Sequence, residues 1–338
     1  MVDRATEIQI AERLQDLYEH QIPADAARLD SYYRSGRGYY PPDEAGPERD
    51  TFAIALATVD GEVLGIGDEG VPFPLQSISK VFAYILALTD HPLRDVLARV
   101  GVEPSGDPFN AIEFDVRHNR PYNPMVNSGA LVACDLIRGA TPQDKLERIL
   151  ELLRVTADVD DLVVDGSILA DELRTGDRNR AIAYLMRSNG MLEGEVEEVL
   201  TLYLQLCSVQ VTCVQLAKMA ATLANGCVNP WTGRRMLARA RVRDLLSVLY
   251  TCGMYDAAGE WAFDVGVPAK SSVSGAILAV VPGKLGIAVY SPGLDAHGNS
   301  VRGEDVCREI SREMGLHMFA TDDEDAVLGD APAPASSG

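Results

Sequence analysis

Lysine is scarce in this chain of 338 residues: only Lys80, Lys145, Lys218, Lys270 and Lys284 occur, and every other Lys/Arg position is arginine. A lysine that falls inside a motif therefore stands out. Positive charge as a whole is short, with 30 Lys and Arg against 50 Asp and Glu and a formal net charge of −20. Such a field repels nucleic acid and anionic membrane, so neither is an expected partner. Long apolar runs are missing too. No stretch approaches the roughly 20 apolar residues that a membrane helix needs, and Met1-Val2-Asp3-Arg4 opens a charged amphipathic segment without a signal-peptide core. The six cysteines, Cys134, Cys207, Cys213, Cys227, Cys252 and Cys307, form no CxxC pair. They sit mostly in apolar text, which suits buried free thiols in a reducing cytoplasm rather than disulfides. No His, Cys and carboxylate cluster has ligand spacing, so no metal is expected.

What is present is ordinary globular material, 47% hydrophobic and 24% charged, and long enough for one large domain or two intimate ones. Ile8, Ile10, Leu14, Leu17 and Tyr18 form a helical stripe over residues 6–20. Two alternating runs, Phe52–Leu56 and Glu62–Ile66, flank the turn Asp60-Gly61 and predict a hairpin. From Ser77 to about Tyr250 the text is mostly helical. A second strand pair, residues 276–281 and 285–290, is joined by Pro282-Gly283-Lys284, and a last amphipathic helix covers about residues 303–315. From Thr321 the chain is acidic and then Ala/Pro/Ser-rich, the composition of a disordered tail. Strands at both ends with helices between predict an α+β fold, one antiparallel sheet built from distant segments with an all-helical lobe packed against it.

Several strings can carry chemistry. In Gln76-Ser77-Ile78-Ser79-Lys80-Val81-Phe82, which opens an apolar helix, Ser77 and Lys80 share one helix face. A serine hydroxyl needs a group to take its proton, and a lysine desolvated beside Val81 and Phe82 can be that base. The plainer reading makes Ser77 a helix cap. Asn123-Pro124-Met125-Val126-Asn127-Ser128-Gly129 places the Asn127 amide either in a pocket or at a helix cap. Glu172 and Asn179, seven residues apart and read as loop, can bracket an ammonium and a carboxylate; alternatively Asp177 simply caps the next helix. Tyr203 lies in an apolar helix, where a core tyrosine is the plainer reading. Lys270-Ser271-Ser272-Val273-Ser274-Gly275 leads into a strand, where an unpaired edge N–H can complete an oxyanion hole opposite a Ser-x-x-Lys nucleophile.

The order and wording of these strings together resemble the serine-dependent glutaminase family, whose fold is related to β-lactamases and penicillin-binding proteins. The resemblance runs from about Gly36 to about Met314 and is closest in Gln76–Phe82, Val102–Gly106, Asn123–Ala130, Cys252–Asp256 and Gly298-Asn299-Ser300. It implies an N-terminal helical segment (1–35), a catalytic domain (36–318) with its sheet from about 50–70 and 265–292 and its helical lobe over about 77–250, and a tail (319–338). It implies hydrolysis of L-glutamine to L-glutamate and ammonia through an acyl-enzyme on Ser77, with proton transfer by Lys80, by Tyr203 or by the two in relay. Asn127, Glu172, Asn179, Tyr203 and Tyr255 match substrate-contacting side chains, and Tyr39 matches a further pocket tyrosine. The Val273 N–H, with that of Ser77, matches the oxyanion hole. No cofactor is implied, and a cytoplasmic homo-oligomer, dimer or tetramer, is. Where the family pattern has glycines, this chain has Ser272 and Ala276, whose Cβ atoms are expected to narrow the site, lower activity or shift its preference. Two rival readings remain: a serine β-lactamase- or peptidase-like acyl-enzyme, and a glutamine-binding protein without turnover.

Overall fold

A computed structural model describes residues 4–21, 51–107 and 111–320. Strands β1 (Ala53–Thr58) and β2 (Val63–Gly67) form the first expected hairpin; β6 (Ala276–Val281) and β7 (Leu285–Tyr290) form the second. A short edge strand, β5 (Ala269–Ser271), completes a five-stranded antiparallel sheet ordered β2-β1-β7-β6-β5. The join between the two hairpins is the β1–β7 ladder, which pairs Ala53 with Tyr290. A second, two-stranded sheet pairs β3 (Phe73–Pro74) with β4 (Gln210–Val211).

Twelve helices lie among the described residues. They are α1 (Arg4–Gln21), α2 (Ser79–Asp90), α3 (Leu93–Arg99), α4 (Asn127–Leu136), α5 (Pro142–Ala157) and α6 (Gly166–Thr175). After them come α7 (Asp177–Ser188), α8 (Val196–Cys207), α9 (Cys213–Ala224), α10 (Arg239–Cys252), α11 (Ala258–Asp264) and α12 (Val301–Glu313). The last begins two residues before its expected start because the Ser300 side chain accepts from the Gly303 N–H and caps it there.

The alternation inside β1 explains how both faces of the sheet are covered. Ala53, Ala55 and Ala57 point to one side, Ile54 and Leu56 to the other, and all are buried. Against the alanine face packs α9, close enough that a Cβ on Gly286 would lie 2.2 Å from the Ala221 nitrogen. The Ile/Leu face is covered by α1, α11 and α12, which contribute Leu14, Leu17, Trp261, Val306 and Ile310 to a second core. Beyond α9 lies the helical lobe, built around α2, whose residues Ser79 through Leu88 are all buried. A helix apolar on every side is the centre of a bundle, and this one starts at the serine motif.

The segment from Glu172 to Arg180, read from sequence as loop, is instead the end of α6 and the start of α7, with only Gly176 between them. Asp165 caps α6 through the Ser167 and Ile168 N–H groups, and Leu173 and Ile182 tie the pair to the lobe core. Phe319 sets its ring edge-on to Tyr250, and the Met318 N–H bonds the Gly266 carbonyl. Tyr39 and the tail from Thr321 onward lie outside the described residues.

Candidate active site

The site is assembled where the first turn of the lobe meets the edge of the sheet. Leu75 is held by its N–H to the Val209 carbonyl, and Gln76–Ile78 then make a single 3-10 turn that runs straight into α2. Gln76 takes a left-handed φ of +46°, costly for a side-chain-bearing residue, and this kink sets Ser77 at the head of the helix rather than at its cap. There Ser77 keeps an N–H that lies ahead of the first intrahelical bonds. One turn on, Lys80 Nζ lies 2.7 Å from Ser77 Oγ. Protonated, the amine donates to the hydroxyl; neutral, it accepts the hydroxyl proton. Lys80 is fully buried, and that burial pulls its pKa from the ordinary lysine value down to about 8.

A second hydroxyl, Tyr255 Oη, is 3.4 Å from Lys80 Nζ. Tyr255 begins a 3-10 turn, Tyr255–Ala257, at a left-handed φ of +56°. The preceding Gly253 lets that turn press on β5, since a Cβ there would meet the Ala269 carbonyl oxygen at 1.7 Å. Under the Tyr255 ring sits Lys270, its Nζ 3.7 Å from the ring centroid and donating to the carbonyls of Gly253 (2.8 Å) and Ser271 (2.7 Å). Burial, and then the neighbouring charge of Lys80, lowers the Lys270 pKa well below the usual lysine range.

The polar wall comes from four lobe helices. Asn127, in the first turn of α4, donates through Nδ2 to Asn179 Oδ1 (2.9 Å) on α7 and accepts from Tyr203 Oη (3.3 Å) on α8. Gly129 makes this possible, because a Cβ at that position would fall 1.8 Å from the Asn123 carbonyl oxygen. Glu172, on α6, accepts from Gln76 Nε2 at 2.8 Å. Burial raises the Glu172 pKa, while the Gln76 bond and the Lys80 charge oppose the rise. Burial also holds the Tyr203 hydroxyl pKa well above its ordinary value, which makes the phenolate hard to reach.

The β5–β6 connection closes the opposite side. Ser272 N–H bonds the Ala276 carbonyl (2.9 Å) and Gly275 N–H bonds the Ser272 carbonyl (3.0 Å), a three-residue loop with Gly275 at φ +93°. Val273 is the residue at its corner, half-exposed, and its N–H makes no hydrogen bond among the described residues. Ala276, in contrast, turns its methyl into the core beside Tyr290.

Of the residues singled out in the sequence, Ser77 and Lys80 touch. Asn127, Asn179 and Tyr203 form one chain of hydrogen bonds, and Tyr255 reaches Lys80. Tyr203 Oη donates to Asn127, and Tyr255 Oη is a second hydroxyl within reach of Lys80. Sequence reasoning missed the Gln76 amide on Glu172, and it singled out Lys270 without foreseeing its place under the Tyr255 ring. The second had a signal, being one of only five lysines and lying inside a motif. The first had none, because its partner is 96 residues away. A separate cavity of about 320 Å³, lined by Glu260, Asp264, Asp295, His297, Glu304 and Arg308, contains none of these residues.

An antiparallel sheet with a helical lobe, and a helix that starts under the sheet edge, define the class: an α+β hydrolase of the β-lactamase-like kind. The family profile for glutaminase matches residues 39–319. A glutaminase of Nostoc sp. is 54% identical over 280 residues, covering 83% of this chain and 84% of the relative, and glutaminase 2 of Clostridium perfringens is 43% identical over 282 residues, covering 83% and 92%. Among solved structures, the probable glutaminase ybaS superposes with a TM-score of 0.85 at 33% identity, covering 95% of this chain and all of that one. A Bacillus glutaminase crystallised in 4.3 M NaCl gives 0.81 at 32%, covering 92% and 100%. The chain belongs to the glutaminase family, amidohydrolases acting on the side-chain carboxamide of L-glutamine.

Proposed function

We propose that this chain hydrolyses L-glutamine to L-glutamate and ammonia through an acyl-enzyme on Ser77, with Lys80 as the base. The observation that carries the reading is the 2.7 Å contact between Ser77 Oγ and a fully buried lysine whose pKa falls to about 8. A neutral amine at that distance takes the hydroxyl proton as Ser77 attacks the side-chain carboxamide carbon. Tyr203 is the poorer base, because burial pushes its pKa up rather than towards neutrality. Tyr255, 3.4 Å from the Lys80 amine, is the better candidate to hold that amine in register.

The tetrahedral oxyanion sits between the N–H groups of Ser77 and Val273, donors already fixed before charge develops. Collapse breaks the C–N bond, and ammonia leaves with the proton returned from Lys80. Water then cleaves the γ-glutamyl ester with Lys80 again as base. Glu172 takes the substrate α-ammonium, whose charge offsets the cost of burying that carboxylate. Asn127 and Asn179 with Tyr203 hold the α-carboxylate, and an analogue lacking either group leaves buried polar atoms unpaired.

Two coarser features accompany this reading. Buried free thiols at all six cysteines favour a cytoplasmic setting, and no described helix is long and apolar enough to cross a membrane. The exposed side chains of Phe263, Met318 and Phe319 lie on segments joined by the Met318–Gly266 bond, and they favour assembly as a homo-oligomer.

Coupled ammonia release from L-glutamine, by the wild type and by Ser77→Ala side by side, tests the proposal. Release by the wild type alone is expected. Thermal stabilisation by glutamine with no ammonia from the wild type would instead mark a binding protein.

A further inference from the structure

The residue just before the oxyanion amide is Ser272, completely buried, and its hydroxyl reaches across to the turn that presents the nucleophile. Ser272 Oγ donates to the Leu75 carbonyl at 3.0 Å, a contact between residues 197 positions apart. The same oxygen accepts from Ser274 Oγ at 2.8 Å and from the Ser274 N–H at 3.3 Å. A hydroxyl has one proton to give and two lone pairs to fill, so all three capacities are used.

Each of these bonds constrains the amide that matters. Inside the loop Ser272–Gly275, the Gly275 N–H is taken by the Ser272 carbonyl and the Ser274 N–H by the Ser272 hydroxyl. Of the loop amides, only the corner one, Val273, makes no hydrogen bond among the described residues. On the other side, the Leu75 carbonyl also accepts the Ile78 N–H at 3.1 Å, so the atom gripped by Ser272 is part of the 3-10 turn that carries Ser77. One hydroxyl therefore links the backbone two residues before the Ser77 donor to the backbone one residue before the Val273 donor.

We propose that Ser272 is a positioning residue for the oxyanion hole, its hydroxyl clamping the Val273 corner to the Ser77 turn and so setting the separation of the two donor amides. The proposal rests on the acyl-enzyme reading above. It also assigns the Cβ at this position a part other than narrowing the pocket. Donors held at a fixed separation stabilise the tetrahedral state and do little for the planar ground state.

The experiment compares wild type, Ser272→Ala, Ser272→Gly and Ser77→Ala by thermal unfolding, by steady-state ammonia release, and by inhibition with two probes. One probe is a boronic acid isostere of the glutamine side chain, which forms a tetrahedral anionic adduct with serine; the other is the planar product L-glutamate. Loss of the clamp is expected to lower kcat by about tenfold, less than outright removal of an oxyanion donor. Boronate affinity falls by a similar factor, while KM and L-glutamate inhibition stay within about twofold. Ser272→Gly adds no methyl to the buried loop and serves as the second variant should the alanine form unfold. Unchanged kcat and boronate affinity in the folded variants would overturn the proposal, and so would equal weakening of both probes, the signature of a general loosening. Turnover retained by Ser77→Ala sinks the acyl-enzyme itself; an inactive Ser77→Ala beside unaffected Ser272 variants sinks only the clamp.

Discussion

Two buried lysines approach one tyrosine ring, Lys270 Nζ at 3.7 Å and Lys80 Nζ at 5.6 Å from the Tyr255 centroid, and their surroundings differ in one chemical respect. At the start of α2, Lys80 faces two hydroxyls, Ser77 at 2.7 Å and Tyr255 at 3.4 Å. At the sheet edge, Lys270 faces two backbone carbonyls, of Gly253 and Ser271. Hydroxyls both give and accept protons, whereas carbonyls only accept. Burial lowers both pKa values, but only the first lysine has a partner able to hand it a proton. The second, even when neutral, retains two N–H donors, enough for its two carbonyls. Two residues of one type, both without solvent, thus differ by the groups around them: the proposed mechanism gives Lys80 the chemistry, and Lys270 is bonded to the backbone that carries Tyr255 and β5.

The largest expected effect breaks this contrast at its reactive end. Lys80→Ala should slow acylation by roughly 10²–10⁴-fold, the usual contribution of a positioned base, with folding retained; pre-steady-state kinetics read this directly, and a near-normal rate would move the base elsewhere. Lys270→Met tests the other end. It withdraws the donor from the Ser271 carbonyl, while the Gly253 carbonyl keeps the Ser271 N–H at 3.3 Å, and urea unfolding should show a loss of roughly 1–3 kcal/mol for the one carbonyl left unsatisfied.

The pH profile sharpens the comparison. In the proposed mechanism Lys80 acts as base only when neutral, so kcat/KM should rise tenfold per pH unit below about 8 and level off above it. In Lys270→Met the midpoint should stay near 8, because a neutral Lys270 adds no charge for Lys80 to feel. A midpoint displaced upward by a full unit would mean that Lys270 carries its proton in the wild type. The smallest effect is expected far from both lysines. Thr141 and Asp144 form a reciprocal cap on α5, and Thr141→Ala should cost about 1 kcal/mol of stability while kcat is unchanged.

Much of this contrast was legible beforehand, and the illegible part has a pattern. The hairpins at 53–67 and 276–290 follow from alternation and turn chemistry, and they appear almost residue for residue. The segment read as loop around Glu172 failed because Thr175-Gly176-Asp177 looks like a terminator; in the fold, Gly176 separates two helices that pack on the same core. Tyr203 and Tyr255 could be flagged but not ranked, since which hydroxyl approaches Lys80 depends on the left-handed turn at Tyr255. Ser272 was read from sequence as an obstruction near the site, and no local rule joins it to Leu75.

The sequence by itself determined the elements that depend on neighbours in the chain: the strand pairs, the apolar helix that starts at the serine motif, and the Ser77–Lys80 pair, brought face to face by three-residue spacing. Only the tertiary structure decided what that pair can do. Its lysine loses solvent because α2 is packed on every side, and Tyr255 reaches that lysine from 175 residues away, while Glu172 and Ser272 bond the adjoining Gln76 and Leu75 from 96 and 197 residues away. Helix and strand preferences act over a few residues. The environment that lowers a lysine pKa, or fixes the distance between two amides, is set by whatever the whole chain packs around them.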